Sequence, residues 1–472
     1  MDSNGAKSTG VCHILAVPYP GRGHINPVMN LCNLLASKSE GILVTFVVTE
    51  EWLGLIGSQV KPDNIRFASI PNVVPSEKER AADMPAFLRA VRTQMEAPFE
   101  RLLDELEPSP SVILADYLLA WAVGAANRRN IKMASFLPIS ASMFSVLQQL
   151  YLYMEKSQVP VHMLGMAIKG MERLQVESTP GADEPPPAEG GLSDLPSDLA
   201  KQKDAVILQH ILEAISCLQK VDCVLFPTIY ELESDAIDAL RAGFKVPVYT
   251  IGPAIPYSQL GDSQSPTSTT QKAQLHDYFE WLDCQPRSSV LYVSFGSFLE
   301  VSGAQMEEIA AGLKKSGVRF LWVARGETDR LREECGENGL VVPWCDQLRV
   351  LCHPCVGGFW SHCGWNSIRE GIYAGVPFLC FPIGMDQNHN AKLVVEDWKV
   401  GWRVRNTDSV DLVNREEIAG LVQRFMDLES EQGKEMRKRA TQLQQITHRS
   451  AAEGGSSDAN INAFLRDISH SH

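Results

Sequence analysis

Short, unbroken apolar runs recur along the chain, separated by stretches with helical spacing. Runs over residues 13–18, 43–49, 65–70, 111–116, 132–136 and 222–227 are rich in β-branched side chains. Such runs, lacking polar alternation, are what parallel strands buried on both faces require. Residues 27–37 and 84–106 between them carry helical periodicity. The series reads as repeated βαβ units and predicts a doubly wound α/β sheet. A last run over 248–253 closes this half, and the alternation restarts with runs over 289–294, 320–324, 339–343, 356–360 and 377–381. Helical spacing returns over 304–315 and 367–374. Two Rossmann-like domains are therefore expected, residues 1–250 and 251–449, facing across a cleft at the carboxyl ends of their strands.

Two stretches interrupt the pattern. Residues 177–196 are acidic and proline-rich, which excludes a helix interior and leaves a surface loop or a mobile flap over the cleft. Residues 258–270 are rich in Ser, Thr, Gln, Gly and Pro and suit a linker between the halves. The charged helices expected over 416–428 and 433–447 belong on the outside, with the tail 450–472 packing back on the first half.

Composition narrows the function classes. A formal net charge of −14 argues against a nucleic-acid partner. No apolar run approaches the ~20 residues of a bilayer span, so stable membrane insertion is not expected. Residues 1–10 lack the pattern of a signal peptide, and no Asn-x-Ser/Thr acceptor occurs, so a cytoplasmic monomer is expected. The 11 cysteines then read as reduced thiols. Cys352, His353, Cys355, His362 and Cys363 could ligate zinc, but Cys355 runs directly into an apolar strand and no second C-x-x-C follows. No metal site is assigned.

The first strand leads into Gly21-Arg22-Gly23-His24-Ile25-Asn26-Pro27. Glycines permit a tight turn, with Asn26 expected as helix cap and Pro27 as the first helical residue. A dinucleotide fingerprint would need its third glycine where Asn26 stands, so an NAD(P)-dependent oxidoreductase is the weaker reading. His24, at the mouth of this turn, is either a structural histidine or a proton acceptor. Asp116 closes its own strand and is either a helix cap or the carboxylate that orients His24.

A second constellation lies in the other half. Ser367 opens a helix after a buried strand, where free N–H groups and the helix dipole suit a diphosphate. His362 and Asn366 add donors beside it, and Ser297, after another strand, adds one from across the site. Trp344 offers a face for a flat base, and Glu370 could accept from ribose hydroxyls. Each has a plainer alternative: Trp344 as core, Glu370 as helix surface, Asp386 as a helix cap.

Taken together, residues 344–387 resemble the 44-residue signature box of the plant secondary-product branch of the family 1 UDP-glycosyltransferases. Trp344-Cys345-Asp346-Gln347 opens it, His362-Cys363-Gly364-Trp365-Asn366-Ser367 lies in the middle and Asp386-Gln387 closes it. Gly23-His24, Leu114-Ala115-Asp116 and Ser294-Phe295-Gly296-Ser297 extend the resemblance. It implies a GT-B fold and an inverting transfer of glucose from UDP-glucose to a hydroxyl (or carboxyl) of a small lipophilic plant metabolite, giving a β-glucoside. No cofactor or metal is required in that scheme. By position, Trp344 stacks the uracil and the Cys345 main chain reads its edge, while Gln347 and Glu370 hold the ribose. His362, Asn366, Ser367 and Ser297 hold the diphosphate. Trp365, Asp386 and Gln387 hold the sugar, with Ser140 at a further sugar- or phosphate-facing position. His24 is implied as general base and Asp116 as its partner. A closing glutamine goes with glucose, a histidine with galactose.

The box departs from its usual form in two places. The usual Asn-Ser-Thr-Leu-Glu reads Asn366-Ser367-Ile368-Arg369-Glu370, with Arg369 either touching the donor or, the favoured expectation, pointing to solvent, and Asp346 replaces a proline. The acceptor pocket is expected from residues 19–22, 84–88, 140–144 and 177–196, with Phe87, Met143 and Phe144 as apolar lining. A non-catalytic nucleotide-sugar sensor and a UDP-sugar epimerase remain as competing readings.

Overall fold

The computed structural model describes residues 11–77, 80, 83–157, 205–256, 278–297, 301–324, 328–336, 338–405 and 412–469. The stretches 177–196 and 258–270 lie outside the described residues.

The first sheet has seven parallel strands: β1 (Cys12–Val17), β2 (Ile42–Thr49), β3 (Ile65–Ile70), β4 (Val112–Asp116), β5 (Lys132–Phe136), β6 (Cys223–Phe226) and β7 (Val248–Thr250). Their spatial order is β3-β2-β1-β4-β5-β6-β7. The second has six: β8 (Val290–Ser294), β9 (Arg319–Val323), β10 (Gly339–Val342), β11 (Val356–Ser361), β12 (Phe378–Cys380) and β13 (Gly401–Arg403), ordered β10-β9-β8-β11-β12-β13. In each, the chain winds outward from the first strand in one direction and then returns to wind the other way. Both reversals, β1 beside β4 and β8 beside β11, open a crevice at the strands' carboxyl ends.

Alternation explains the unbroken apolar runs. In β1, Ile14 and Ala16 face one core while Leu15 and Val17 face the core on the opposite side. In β8, Val290 and Tyr292 point one way, Leu291 and Val293 the other. Each sheet is thus the middle layer between two apolar cores, so most strand positions are hydrophobic on both faces, and a buried polar pair such as His13 and Thr45 is satisfied within the sheet.

The helix Ser456–Ser469 lies against the first sheet, burying Ile461, Phe464 and Ile468 in the core beneath β1 and β7. Fully burying one such side chain is worth roughly 1.5–3 kcal/mol, so three anchors suffice to hold a short helix. Phe464 meets Tyr249 edge-on at 5.8 Å, and Asp458 pairs with Lys38.

Local differences from the sequence reading have physical causes. The first helix spans Arg22–Lys38, starting well before Asn26, with Gly21 as an extended cap residue and Pro27 inside the helix. The stretch 84–106 breaks into Met84–Gln94 and Glu96–Glu105 at Met95, ahead of Pro98. Among the described residues, no helix is long and apolar enough to cross a membrane.

Candidate active site

The two crevices face each other and merge into one cleft of about 720 Å³. His24 sits in the first turn of the helix after β1, and Asp116 is the last residue of β4, the neighbouring strand. Adjacent strand ends bring them together: His24 Nδ1 lies 2.7 Å from Asp116 Oδ2. Asp116 is wholly buried, and the His24 side chain retains 27% of its exposure. The other carboxylate oxygen accepts from the Leu118 N–H at 3.0 Å, which fixes the carboxylate plane. Asp116 is therefore not a helix cap; that position belongs to Leu119. With Nδ1 engaged, His24 is left with Nε2 for the cleft it lines.

Opposite stands the helix Trp365–Ala374, which follows β11. Its cap residue is Gly364, no side chain caps it, and its first turn has no acidic residue. Gly364, Trp365, Asn366 and Ser367 all line the cleft, so the bare N–H groups of this tip are a ready anion site. Cys363, just before the tip, is held at a φ of 67°, and Met385, before Asp386, at 58°. Strained backbone of this kind concentrates at functional sites. Gly296, at a φ of 79°, could not be replaced: a Cβ there would meet the His362 ring at 2.4 Å.

Several residues expected to hold the nucleotide form one hydrogen-bonded set. Gln347 donates to Glu370 at 2.7 Å and to Ser367 at 3.0 Å, and its oxygen accepts from Tyr292 at 3.2 Å. Burial pushes the Glu370 carboxyl up to about 7, with Gln347 and Arg369 opposing the rise. Cys345 is buried, with its thiol against the Tyr292 hydroxyl. Trp344 is not core: it is 58% exposed and lines the cleft mouth, as an indole waiting to stack would be. Asp346 caps the helix Gln347–Leu351 by accepting from Arg349 N–H at 3.2 Å, which explains an aspartate there. Ser297 and His362 line the cleft as well.

Where the resemblance expects the sugar, Gln387 Oε1 accepts from the Ile383 and Gly384 N–H groups at 2.8 and 3.1 Å. Its oxygen is thus used, and its NH2 is the part left for a ligand. Asp386 stands at the cap position of the helix Gln387–Lys392 but makes no capping bond. It instead accepts from Asn390 at 2.7 Å, and burial raises its carboxyl above the usual range. The Trp365 indole N–H is buried and has no hydrogen-bond partner among the described residues.

Three expectations need correction. Ser140 does not line the cleft: its hydroxyl accepts from Met143 N–H at the start of the helix Ala141–Ser157 and donates to Asn390 at 3.2 Å. It acts at one remove, through the residue that bonds Asp386. Arg369 does not point to solvent. It is buried, donating to the carbonyls of Pro253 at 2.5 Å and Ala254 at 3.3 Å and to Asn366 Oδ1. Burial lowers its guanidinium to about 10, so it stays cationic. Phe87 and Phe144 lie behind the wall, in the core; Met143 lines the cleft. Tyr292 and Asn390 escaped the sequence reading, and Arg369 was misplaced by it, because each has a partner remote in the chain: Gln347, Ser140 and Pro253.

Among the described residues no cluster of three or more His, Cys, Asp or Glu could hold a metal. His353 turns to Asp283 and to the Cys355 thiol.

Two doubly wound lobes facing across such a cleft are the GT-B architecture. Os79 from O. sativa, solved in complex with U2F and trichothecene, matches with a TM-score of 0.80 at 29% identity, over 96% of this chain and 100% of that one. Phytolacca americana UGT2, complexed with UDP-2fluoro-glucose and pterostilbene, matches at 0.76 and 25% identity, over 97% and 100%. Residues 263–418 match the family described as UDP-glucoronosyl and UDP-glucosyl transferase. UDP-glycosyltransferase 87A2 of Arabidopsis thaliana is 48% identical over 100% of both chains, and 87A1 is 47% identical over 96% of this chain and 99% of its own. The chain belongs to the plant family 1 UDP-glycosyltransferases.

Proposed function

We propose that this enzyme moves glucose from UDP-glucose to a hydroxyl of a small lipophilic metabolite, with inversion. His24 Nε2 takes the proton of the acceptor hydroxyl, and Asp116 stabilises the imidazolium that results. The acceptor oxygen attacks the anomeric carbon from the face opposite the diphosphate, whose oxygen departs with the bonding pair. The bare tip of the helix Trp365–Ala374, with His362, meets the charge that develops on the leaving UDP. An α-linked donor then gives a β-glucoside.

The observation that carries this reading is the 2.7 Å His24–Asp116 contact, set across one cleft from an uncapped helix tip. Glucose is favoured by Gln387, which lines the cleft with its oxygen already held by two backbone N–H groups, and by the UDP-2fluoro-glucose bound to Phytolacca americana UGT2. A divalent cation has no assigned role, since donors of the protein itself answer the diphosphate charge. The test is an acceptor screen with UDP-glucose, read by mass spectrometry, with the anomeric proton coupling of the product read by NMR. An α-glucoside, or UDP-glucose binding without transfer to any acceptor, would refute the mechanism.

A further inference from the structure

We propose that Tyr19 and His210 form a subsite for a second, uncharged oxygen on the acceptor, beside the hydroxyl that reacts. The inference rests on the reading above, in which the first-lobe wall of the cleft holds the acceptor. Tyr19 follows β1, and His210 comes from the helix Ala205–Cys217; both line the cleft. Tyr19 is 5% exposed and His210 3%. Among the described residues, neither the Tyr19 hydroxyl nor His210 Nε2 has a hydrogen-bond partner. The Tyr19 ring lies 5.1 Å from the His24 ring and 6.1 Å from the His210 ring, so the pair adjoins the base.

Around the pair this wall carries the apolar side chains Leu88, Met143, Leu147, Ile207 and Ile211. Two unmet polar atoms in such a wall cost free energy until something bonds them. A site built to hydrogen-bond a substrate oxygen discriminates strongly against the analogue lacking it.

Charge decides which oxygen. Burial, aided by Arg92, lowers His210 to about 4, so its imidazole is neutral at pH 7. Burial and the nearby Asp116 raise the Tyr19 phenol, so it keeps its proton. Arg80, on the same wall, is paired with Glu77 at 3.0 Å and bonded to the Pro20 carbonyl. A carboxylate here would lack a committed cation and would sit near Asp116, whereas a hydroxyl or carbonyl can accept from Tyr19 and bond His210. The acceptor class is therefore a compact apolar skeleton bearing two oxygens, such as a diol, a hydroxyketone or a polyphenol.

The test compares 2-naphthol with its 2,3-, 2,6- and 2,7-dihydroxy relatives and with 6-hydroxy-2-naphthoic acid, using the full chain and UDP-glucose. At least one diol should exceed 2-naphthol in kcat/KM by about tenfold or more, and the acid should not. Tyr19→Phe and His210→Phe should each bring the diol-to-naphthol ratio toward one. Both substrates are measured on one preparation, so partial misfolding cancels from the ratio. An unchanged ratio in both variants, or preference for the acid, overturns the proposal. If no probe is glucosylated, the acceptor class is wrong, and calorimetry with UDP then shows whether the donor-site reading survives separately.

Discussion

Asn366 donates across the cleft to the main-chain carbonyl of Gly23 at 2.9 Å, tying the donor-side helix tip to the turn that carries His24. Pro27, inside the helix Arg22–Lys38, has no N–H, so the carbonyl four residues before it lacks its usual helical donor. That carbonyl is Gly23's. Arg369 completes the arrangement from the other side. A guanidinium only donates, so by holding Asn366 Oδ1 it turns the amide NH2 toward the gap between the lobes. The same guanidinium grips Pro253 and Ala254, where the chain leaves the first sheet, and Ala254 sits at a φ of 47°.

Arg369→Leu restores the residue usual in related boxes but frees the Asn366 amide to turn its oxygen toward phosphate. UDP affinity should fall about tenfold, roughly 1.4 kcal/mol, by calorimetry. Asn366→Ala should weaken UDP similarly, and the double variant should be no worse than either single one. Additive losses in that cycle would show that Arg369 acts independently of Asn366. A thermal melt on each variant checks that the fold persists.

Asp116→Asn tests the catalytic pair without emptying the space. The amide cannot stabilise imidazolium and can hold the ring in the wrong tautomer. A loss in kcat of about 10²–10⁴ is expected, with UDP affinity unchanged, because Asp116 lies on the lobe opposite the helix tip. His24→Ala should cost at least as much. Normal turnover in either variant would remove the pair from the proton transfer.

The strands were legible because burial on both faces leaves few positions for polar residues, as in β1 and β8. The first helix was misjudged at its start for a related reason. Sequence signals for a helix start are capping side chains, and Gly21 supplies none, so Asn26 and Pro27 drew the boundary inward. β13 is only three residues long and carries no pattern of its own. In the site, the placing of His24, Trp344 and the helix tip on one cleft was legible because their residue types suit such a place. Arg369 was not: a charge after a helix tip normally faces water, and its acceptors at Pro253 and Ala254 are 116 and 115 residues away in sequence. Ser140 misled in the opposite sense, since nothing local reveals that Asn390 claims its hydroxyl.

Glu370 makes nucleoside binding depend on pH. Its carboxyl titrates at about 7 because burial disfavours the charge, with Asp346 adding to the rise. Relative to an unfolded value of about 4.3, its contribution to stability is full below that value and is lost as pH rises to about 7. Binding has the opposite sign if Glu370 accepts from the ribose hydroxyls as proposed, because that role needs the ionised carboxylate. Uridine, which has no titrating phosphate, should bind about tenfold tighter at pH 8 than at pH 6. Glu370→Gln should flatten that profile. A slope that survives the substitution assigns the dependence elsewhere.

In the proposed mechanism the diphosphate charge is answered by the uncapped tip of the helix Trp365–Ala374 and the donors beside it. Turnover with UDP-glucose should therefore persist in excess EDTA, and added magnesium should change kcat/KM by less than about twofold. A collapse of activity on chelation, restored by the cation, would require a metal in the reaction.

Gln387→His addresses the sugar. Gln387 lines the cleft with its Oε1 held by two backbone N–H groups, which leaves its NH2 for the sugar in the proposed reading. Histidine places one ring nitrogen where the amide offered two N–H donors, so a hydroxyl of different orientation is better matched. The ratio of kcat/KM for UDP-glucose to that for UDP-galactose should fall by about tenfold or more. The fall should come from both terms, since the lost donors serve glucose and the ring serves galactose. If instead both donors weaken equally and the ratio stays fixed, Gln387 supports the loop at Ile383 and Gly384 and does not read the sugar.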